Sequence, residues 1–171
     1  EALSGIGSNS DSFYEYLAKM YALFGDDDDW AMFLETYEAV VTYATNGDWY
    51  SDVDMYSGKP RRHHFENLQA FWPGVQAGAG DVHSASRSLN AFWLVFSDWA
   101  GLPEDFDYQA MQLFAASKPS LRLPLRPELV ESTYVLFRAT RHPSWLWAAA
   151  HALEAIEIVH KAPCGYATAK S

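Results

Sequence analysis

The feature that most constrains the fold is a helical periodicity that recurs along the chain. Apolar residues return every three or four positions in six stretches separated by turn residues, a pattern typical of amphipathic α-helices. The predicted helices lie near residues 11–24, 30–44, 65–72, 89–99, 128–137 and 145–160. Taken in pairs, they begin near Asp11, Glu66 and Glu128, which predicts three antiparallel helix hairpins in series. Such a series is typical of an α-solenoid or a closed ring of helix pairs, so the sequence predicts an all-α fold.

Three segments between the helices lack this periodicity. Residues 46–60, NGDWYSDVDMYSGKP, alternate apolar and polar side chains between turn residues, which predicts one short strand or hairpin near Tyr50 to Tyr56. Leu102 to Ser120 is predicted to be a long irregular excursion. The segment GDDDDW lacks the alternating ligands and the central glycine of a calcium loop, so a helix-capping turn is expected there.

The charge of the chain limits its partners. A formal net charge of −10 and the scarcity of clustered Lys and Arg argue against nucleic acid as a partner. The basic cluster KPRRHH (Lys59 to His64) is expected to be a solvated loop. No apolar run approaches the roughly 18 residues of a membrane span, and no targeting segment is evident. The histidines show neither HExxH nor Cys/His metal spacing, and most of the tryptophans are expected in the core.

Several charged residues occur where the predicted helix pairs begin, and in a ring of pairs these ends would share one face. The residues expected to converge are Asp11, Glu66, Asn67, Arg126, Glu128 and Glu131. Carboxylates around a pocket suit glycosidic cleavage, in which one carboxyl group protonates the leaving oxygen and another activates water or attacks carbon. A structural alternative exists at two of these ends. Ser12 and Glu15 have the spacing of a capping box, and Glu128 and Glu131 complement the positive end of a helix dipole.

Four motifs resemble those of a known family. They are GIGSNSDSFYEYLAKMYALFG, NLQAFWPGVQ, LPLRPELVESTY and PCGYAT, and they occur in order across essentially the whole chain. Together they resemble the ER degradation-enhancing α-mannosidase-like branch of glycoside hydrolase family 47, the class I α-1,2-mannosidases. The segments DSFYEYL and LRPELVES are specific to the family. The GIGSxxDS start and the CGYAT end resemble this branch more than the Golgi or processing mannosidases.

The resemblance implies a calcium-dependent, inverting α-1,2-mannosidase built as a ring of seven helix hairpins, an (α/α)7 barrel. Its substrates would be high-mannose N-glycans on misfolded glycoproteins in the lumen of the endoplasmic reticulum or the secretory pathway. There it would act in ER-associated degradation, with a redox or chaperone partner. Residues 1–171 would then be part of the catalytic domain, truncated at both ends and holding about three of the seven hairpins.

The resemblance also assigns roles to individual residues. Glu128 would be the general base that activates the attacking water, and Asp11 would be a second active-site acid. Arg126 would contact the sugar. Glu131 would help to hold the waters around the calcium ion, whose direct ligand lies outside this chain. Glu66 would lie beside the substrate.

Two positions depart from the family pattern near the substrate. Asn67 stands where the processing enzymes carry a histidine, and GSNS before Asp11 lacks their arginine. The helix with the general acid and the calcium-binding threonine of the family are also absent from this chain. The piece alone is therefore expected to be inactive. The alternative is a non-catalytic, lectin-like module that binds glycans or misfolded chains.

The chain has a single cysteine, Cys164, which cannot form an internal disulfide. Because the resemblance implies an oxidising compartment, Cys164 is expected to pair with a cysteine upstream of residue 1 in the longer protein. The alternative is that Cys164 is a small buried residue.

Overall fold

The computed structural model describes residues 2–8, 10–113 and 122–170. This part of the chain is rich in helix, and its α-helices follow one another as three antiparallel pairs. The helices are α1 Asp11–Phe24, α2 Asp27–Ala39, α3 Trp72–Gly78, α4 Val82–Trp99, α5 Glu128–Thr140 and α6 Ser144–Ala155. One turn of π-helix extends α2 through Val40–Ala44, and another extends α6 through Ile156–His160. The three predicted hairpins are thus confirmed, whereas the seven-hairpin ring stays a prediction about a longer protein.

The turn before α2 is the capping turn expected from its run of aspartates. The side chain of Asp26 accepts a hydrogen bond of 3.0 Å from the backbone N–H of Asp28. This bond satisfies one of the free donors at the start of the helix. The other three aspartates of the run lie in the first turn of α2, where the helix dipole favours negative charge.

The third α-helix begins later in the chain than its apolar pattern indicated. Phe65 lies in a strand, His64–Glu66, and Asn67–Phe71 forms a 3₁₀ turn before α3 begins at Trp72. Pro73 explains this start, because proline has no N–H to donate and suits the first turn of a helix. Glu66 therefore precedes the helical segment instead of opening an α-helix.

The helix-rich fold is confirmed, but the expectation of one short hairpin is wrong, because short strands also join the other connections between the helices. The strands are β1 Leu3–Ser4, β2 Thr45–Asn46, β3 Trp49–Tyr50, β4 Asp52–Asp54, β5 Pro60–Arg62, β6 His64–Glu66, β7 Asp105–Asp107, β8 Gln112–Leu113, β9 Arg122–Leu123, β10 Lys161–Ala162, β11 Gly165–Tyr166 and β12 Ala169–Lys170. They form two three-stranded antiparallel sheets, β1–β4–β5 and β6–β7–β8, and three two-stranded ribbons.

These strands are two or three residues long because they pair backbone groups of connections that run close together. The predicted irregular excursion contains β7 and β8, and the remainder of it, residues 114–120, lies outside the described residues.

Two apolar clusters form the core, and α3 lies between them. One cluster, beneath α4, α5 and α6, contains the fully buried Phe65, Phe92 and Leu136. The other, beneath α1 and α2, contains Phe33 and Trp72. Helix α3 packs against α1, α4 and α5. It thereby fixes the start of α1 relative to the start of α5.

A buried serine of the LVES motif secures the contact between α3 and α5. The Ser132 hydroxyl accepts a hydrogen bond of 2.9 Å from the backbone N–H of Gly74 and donates to the carbonyl of Ala70. A Cβ atom at Gly74 would lie 3.1 Å from the Ser132 hydroxyl, so a glycine permits this close approach.

Large apolar side chains on the outer faces of α1 and α6 are exposed. They are Phe13, Tyr16, Met20, Leu23 and Phe24 on α1, and Leu146, Trp147, Leu153 and Ile158 on α6 and its π-helical extension. Such faces are those that further helix pairs would cover. Within the described ranges, no helix combines the length and apolarity needed to cross a bilayer.

Candidate active site

The start of α1 places Asp11 as the first residue of its helix, directly after a turn held by Ser10. The Ser10 hydroxyl donates to the carbonyl of Gly5 at 2.7 Å. The backbone N–H of Asp11 donates to the carbonyl of Gly7 at 3.2 Å. The predicted capping box is wrong: Ser12 lies inside the helix, and the Glu15 carboxylate pairs with Lys19 at 2.6 Å instead of reaching back to the helix start.

The glycines of the GIGS motif allow carboxylates to approach the backbone beside this turn. The Glu66 carboxylate accepts a hydrogen bond of 2.9 Å from the backbone N–H of Ser8. A Cβ atom at Gly7 would lie 2.5 Å from Glu66 Oε2, and one at Gly5 would clash with Asp52. These glycines are therefore required by close contact, and they tie the segment before α1 to strand β6.

Glu66 is held ionised by its neighbours. His64 Nε2 lies 3.3 Å from Glu66 Oε1. This hydrogen bond, together with the bond from Ser8, lowers the pKa of Glu66 to about 2 despite burial. Burial alone would lower the pKa of His64, but the hydrogen bond to Glu66 and the charge of Asp52 outweigh it and raise that pKa.

Arg126 is fixed by a two-point ion pair. Its Nη2 lies 2.5 Å from Glu104 Oε1, and its Nε lies 3.2 Å from Glu104 Oε2. Bidentate pairs of this kind define the orientation of the guanidinium group. The positive charge of Arg126 acts on both Glu66 and Glu128. The start of α5 and the end of β6 therefore face a common region.

Asn67 has a structural task at this point. Its side-chain Nδ2 donates to the carbonyl of Leu102 at 2.8 Å, and its backbone N–H donates to the carbonyl of Glu104 at 3.0 Å. The residue is 3% exposed. Asn67 therefore positions the segment that carries Glu104 and, through it, Arg126.

Glu128 is the first residue of α5, and one of its carboxylate oxygens has no partner. Its Oε2 atom is buried and accepts no hydrogen bond from the residues that the structure describes. Burial raises the pKa of Glu128, and the negative charges of Glu131 and Asp11 raise it further. Its own backbone N–H and the charge of Arg126 oppose this rise.

Glu131 faces α1 across a cleft. Its Oε1 atom lies 3.8 Å from Lys19 Nζ, which also binds Glu15. These residues and Gly74 of α3 are among those that line a cleft of 200 Å³ between α1, α3 and α5. The charged partner that the structure gives Glu131 is thus an ammonium group, and the described residues around it do not form a calcium cage.

The structure therefore brings Asp11, Glu66, Arg126, Glu128 and Glu131 to one end of the helix pairs. It adds Glu104 and His64, which the sequence reasoning did not select. His64 belongs to the cluster expected to be a solvated loop, and that expectation is wrong at this position, because His64 is 6% exposed. The exposed Arg61 and Arg62 belong to β5, whereas His64 opens β6 in the other three-stranded sheet, and a three-residue strand carries too little pattern to detect.

Comparison with known proteins identifies the protein family in which this site occurs. The family model for glycosyl hydrolase family 47 matches residues 1–171. Alpha-mannosidase I MNS4 of Arabidopsis thaliana is 42% identical over 163 residues, which is 95% of this chain and 26% of that protein. ER degradation-enhancing alpha-mannosidase-like protein 2 of Homo sapiens is 41% identical over 167 residues, 98% of this chain and 28% of that protein. The chain thus spans about a quarter of the length of these curated relatives.

A solved structure has the same fold. The alpha-1,2-mannosidase from Trichoderma reesei superposes with a TM-score of 0.78 over 98% of this chain and 41% of that chain, at 20% sequence identity. Because the sequence identity is low, this structural similarity supports only the architecture of the helix pairs. With a family model that matches from the first residue to the last, and with carboxylates gathered where the helix pairs begin, the chain belongs to glycosyl hydrolase family 47.

Proposed function

We propose that the full-length protein is an inverting α-1,2-mannosidase that trims high-mannose N-glycans of misfolded glycoproteins in ER-associated degradation, within the endoplasmic reticulum or secretory pathway. The observation that carries this proposal is the buried Oε2 of Glu128 at the start of α5, which accepts no hydrogen bond from the described residues. A carboxylate oxygen without a hydrogen-bond donor is suited to accept one from a water molecule. Family membership and the names of the relatives support the choice of a mannosidase.

Glu128 acts as the general base. Its carboxylate takes a proton from water while the water oxygen attacks C1 of the terminal mannose from the face opposite the leaving group. The glycosidic oxygen receives a proton from an acid that a neighbouring part of the full protein supplies. The configuration at C1 inverts. The raised pKa of Glu128 makes it a stronger base than an ordinary glutamate.

The neighbouring charges orient the sugar and the water. Asp11 lies close enough to influence the pKa of Glu128, and it fits the second acid that helps to position the attacking water. Arg126, held rigid by Glu104, donates to sugar oxygens, and Glu66 accepts from sugar hydroxyl groups. Asn67 supports Arg126 through the Glu104 segment, because its side chain donates to the carbonyl of Leu102 and its backbone N–H donates to that of Glu104.

The proposed enzyme requires a calcium ion, and the residue that binds this ion directly lies outside this chain. The ammonium group of Lys19 beside Glu131 does not fit a direct calcium ligand at that carboxylate. Glu131 fits a position from which it contacts the ion through one bridging water molecule.

The test is mannose release from a labelled high-mannose N-glycan by the full-length protein. Glu128→Gln removes the base and keeps the shape, so release should fall by about 10²–10⁴-fold while glycan binding persists. The matched control is Glu35→Gln, an exposed glutamate on α2, which should keep wild-type release. Proton NMR should detect the β-anomer of mannose first, as inversion requires.

If mannose release falls by less than about tenfold in Glu128→Gln, Glu128 is not the general base. A second candidate function is a non-catalytic module that binds glycans or misfolded chains, and the departures from the processing enzymes at Asn67 and before Asp11 favour it. Wild-type protein that binds the glycan and releases no mannose would establish that function instead.

A further inference from the structure

Strands β6 and β7 place three metal-ligating side chains on one face of their sheet. Glu66 and Asp105 are directly opposite each other in the antiparallel register. His64 lies two residues before Glu66, and side chains two apart on a strand share a face. Phe65 and its cross-strand partner Phe106 fill the other face, where both are buried. The face with His64, Glu66 and Asp105 is therefore the polar side of this ribbon.

The three side chains lie within reach of a single ion. One ligand atom from each of His64, Glu66 and Asp105 lies within 4.8 Å of the others. The Nε2 atom of His64 is 3.3 Å from Glu66 Oε1. An ion that binds nitrogen and oxygen at about 2.1 Å holds neighbouring ligand atoms about 3.0–3.4 Å apart. His64 and Glu66 already have this spacing, and the Asp105 carboxylate moves closer to them when an ion binds.

The charges around His64 also favour a cation. Glu66 and Asp105 form a like-charged cross-strand pair, which destabilises a sheet unless another charge lies between them. A third carboxylate, Asp52, lies 3.9 Å from His64 Nδ1. Two arginines act on these carboxylates: Arg126, whose guanidinium group is bound to Glu104, and the exposed Arg62, whose charge acts on Asp52. Three carboxylates thus surround one imidazole.

We propose that His64, Glu66 and Asp105 bind a divalent first-row transition metal ion of the zinc or manganese type. An imidazole nitrogen combined with carboxylate oxygens suits these ions, whereas calcium selects oxygen ligands alone. Nε2 of His64 is the ligand atom, and its other ring nitrogen, Nδ1, lies 3.9 Å from the Asp52 carboxylate. An outer carboxylate that holds the second ring nitrogen is usual for a metal-bound histidine.

The proposed ion has a structural effect on the neighbouring site. Glu66 is followed by Asn67, and Asp105 is preceded by Glu104, the partner of Arg126. An ion that joins β6 to β7 at these positions stiffens the segment that orients Arg126.

The test is metal binding by the chelator-treated, full-length protein in a buffer saturated with Ca²⁺. Titration calorimetry with Zn²⁺ should detect one site, and pulsed EPR with Mn²⁺ should detect coupling to an imidazole nitrogen. Asp105→Asn should weaken Zn²⁺ binding at least about tenfold. The matched control is Asp98→Asn, which removes the same charge from an exposed position on α4 and should leave binding unchanged.

His64→Gln should abolish the nitrogen coupling while circular dichroism verifies the fold. If this variant does not fold, Asp105→Asn decides the question. Equal Zn²⁺ affinity in Asp105→Asn and Asp98→Asn would overturn the proposal, as would the absence of nitrogen coupling in the wild type. Because these measurements do not require mannose release, their failure is distinct from failure of the proposed hydrolase function.

Discussion

Arg126 and Glu104 form a two-point ion pair that joins the segment before α5 to the segment before β7. The two contacts measure 2.5 Å and 3.2 Å, and both side chains are about one third exposed. Glu104 is in turn held by Asn67, whose backbone N–H donates to its carbonyl. The orientation of a charged group that faces Glu128 therefore depends on residues from two other connections.

Glu104→Gln should loosen Arg126 without unfolding the protein. One charge-assisted pair at this exposure contributes about 1 kcal/mol or less to stability, so the free energy of unfolding should fall by no more than that. The larger effect should be on the KM for the glycan, because Arg126 loses its fixed direction. Steady-state kinetics and denaturant unfolding of the full-length protein measure the two effects. A KM equal to that of the wild type would show that Arg126 needs no such support.

Gly7→Ala should disturb the start of α1. The added methyl group would lie 2.5 Å from Glu66 Oε2, so either the carboxylate or the turn must move. We expect a loss of about 1–3 kcal/mol in the free energy of unfolding, as for other overpacked sites. Gly78→Ala is the control, since a Cβ atom there meets no atom within 4 Å. Equal unfolding midpoints for the two variants would contradict the close contact.

Glu128→Gln should stabilise the protein at neutral pH. The pKa of Glu128 is raised in the folded state, so folding favours its protonated form. Its contribution to stability is therefore greatest at acidic pH and is lost as the pH rises through the folded-state pKa. Glutamine removes the charge from a carboxylate whose buried Oε2 has no partner among the described residues, so the variant should gain stability at neutral pH. Urea unfolding at neutral and acidic pH should find a gain that shrinks on acidification, and a gain independent of pH would refute this cause.

Glu131→Gln should move the acidic limb of the pH profile to lower pH. The groups that act on Glu128 are Glu131 and Asp11, which raise its pKa, and Arg126, which lowers it. Removing the charge of Glu131 lowers the pKa of the base, so the active, ionised form persists to lower pH. The measurement is kcat/KM against pH for the full-length protein, with Glu35→Gln as the control. An acidic limb that moves to higher pH or stays in place would show that the charge of Glu131 does not raise the pKa of Glu128.

Cys164 should be oxidised in the full-length protein. It is exposed in the turn of the β10–β11 ribbon, so the alternative of a small buried residue is wrong. An exposed free thiol would be unstable in an oxidising compartment, and we expect a disulfide with a cysteine upstream of residue 1. Peptide mapping by mass spectrometry under non-reducing conditions identifies the pair. A Cys164 that alkylates freely in the active protein would exclude it.

The periodic part of the fold was predictable from sequence. Apolar spacing located the three hairpins, because a helix that buries one face must repeat apolar residues at its own period. The pattern misplaced the third helix, because Phe65 and Phe71 fit a helical spacing although β6 and a 3₁₀ turn carry them. Short strands likewise escaped detection, since two or three residues cannot display an alternation.

The charged residues at the starts of the helix pairs were predictable from the amino-acid order, because proline and apolar spacing mark helix starts. Asp11 and Glu128 were found in this way. Three relationships could be found only in the folded chain: His64 lies beside Asp105, Glu104 holds Arg126, and Glu128 Oε2 has no partner in the described part of the chain. These relationships depend on packing between connections that are far apart in sequence. Such contacts leave no periodic pattern in the local sequence, so sequence periodicity cannot predict them.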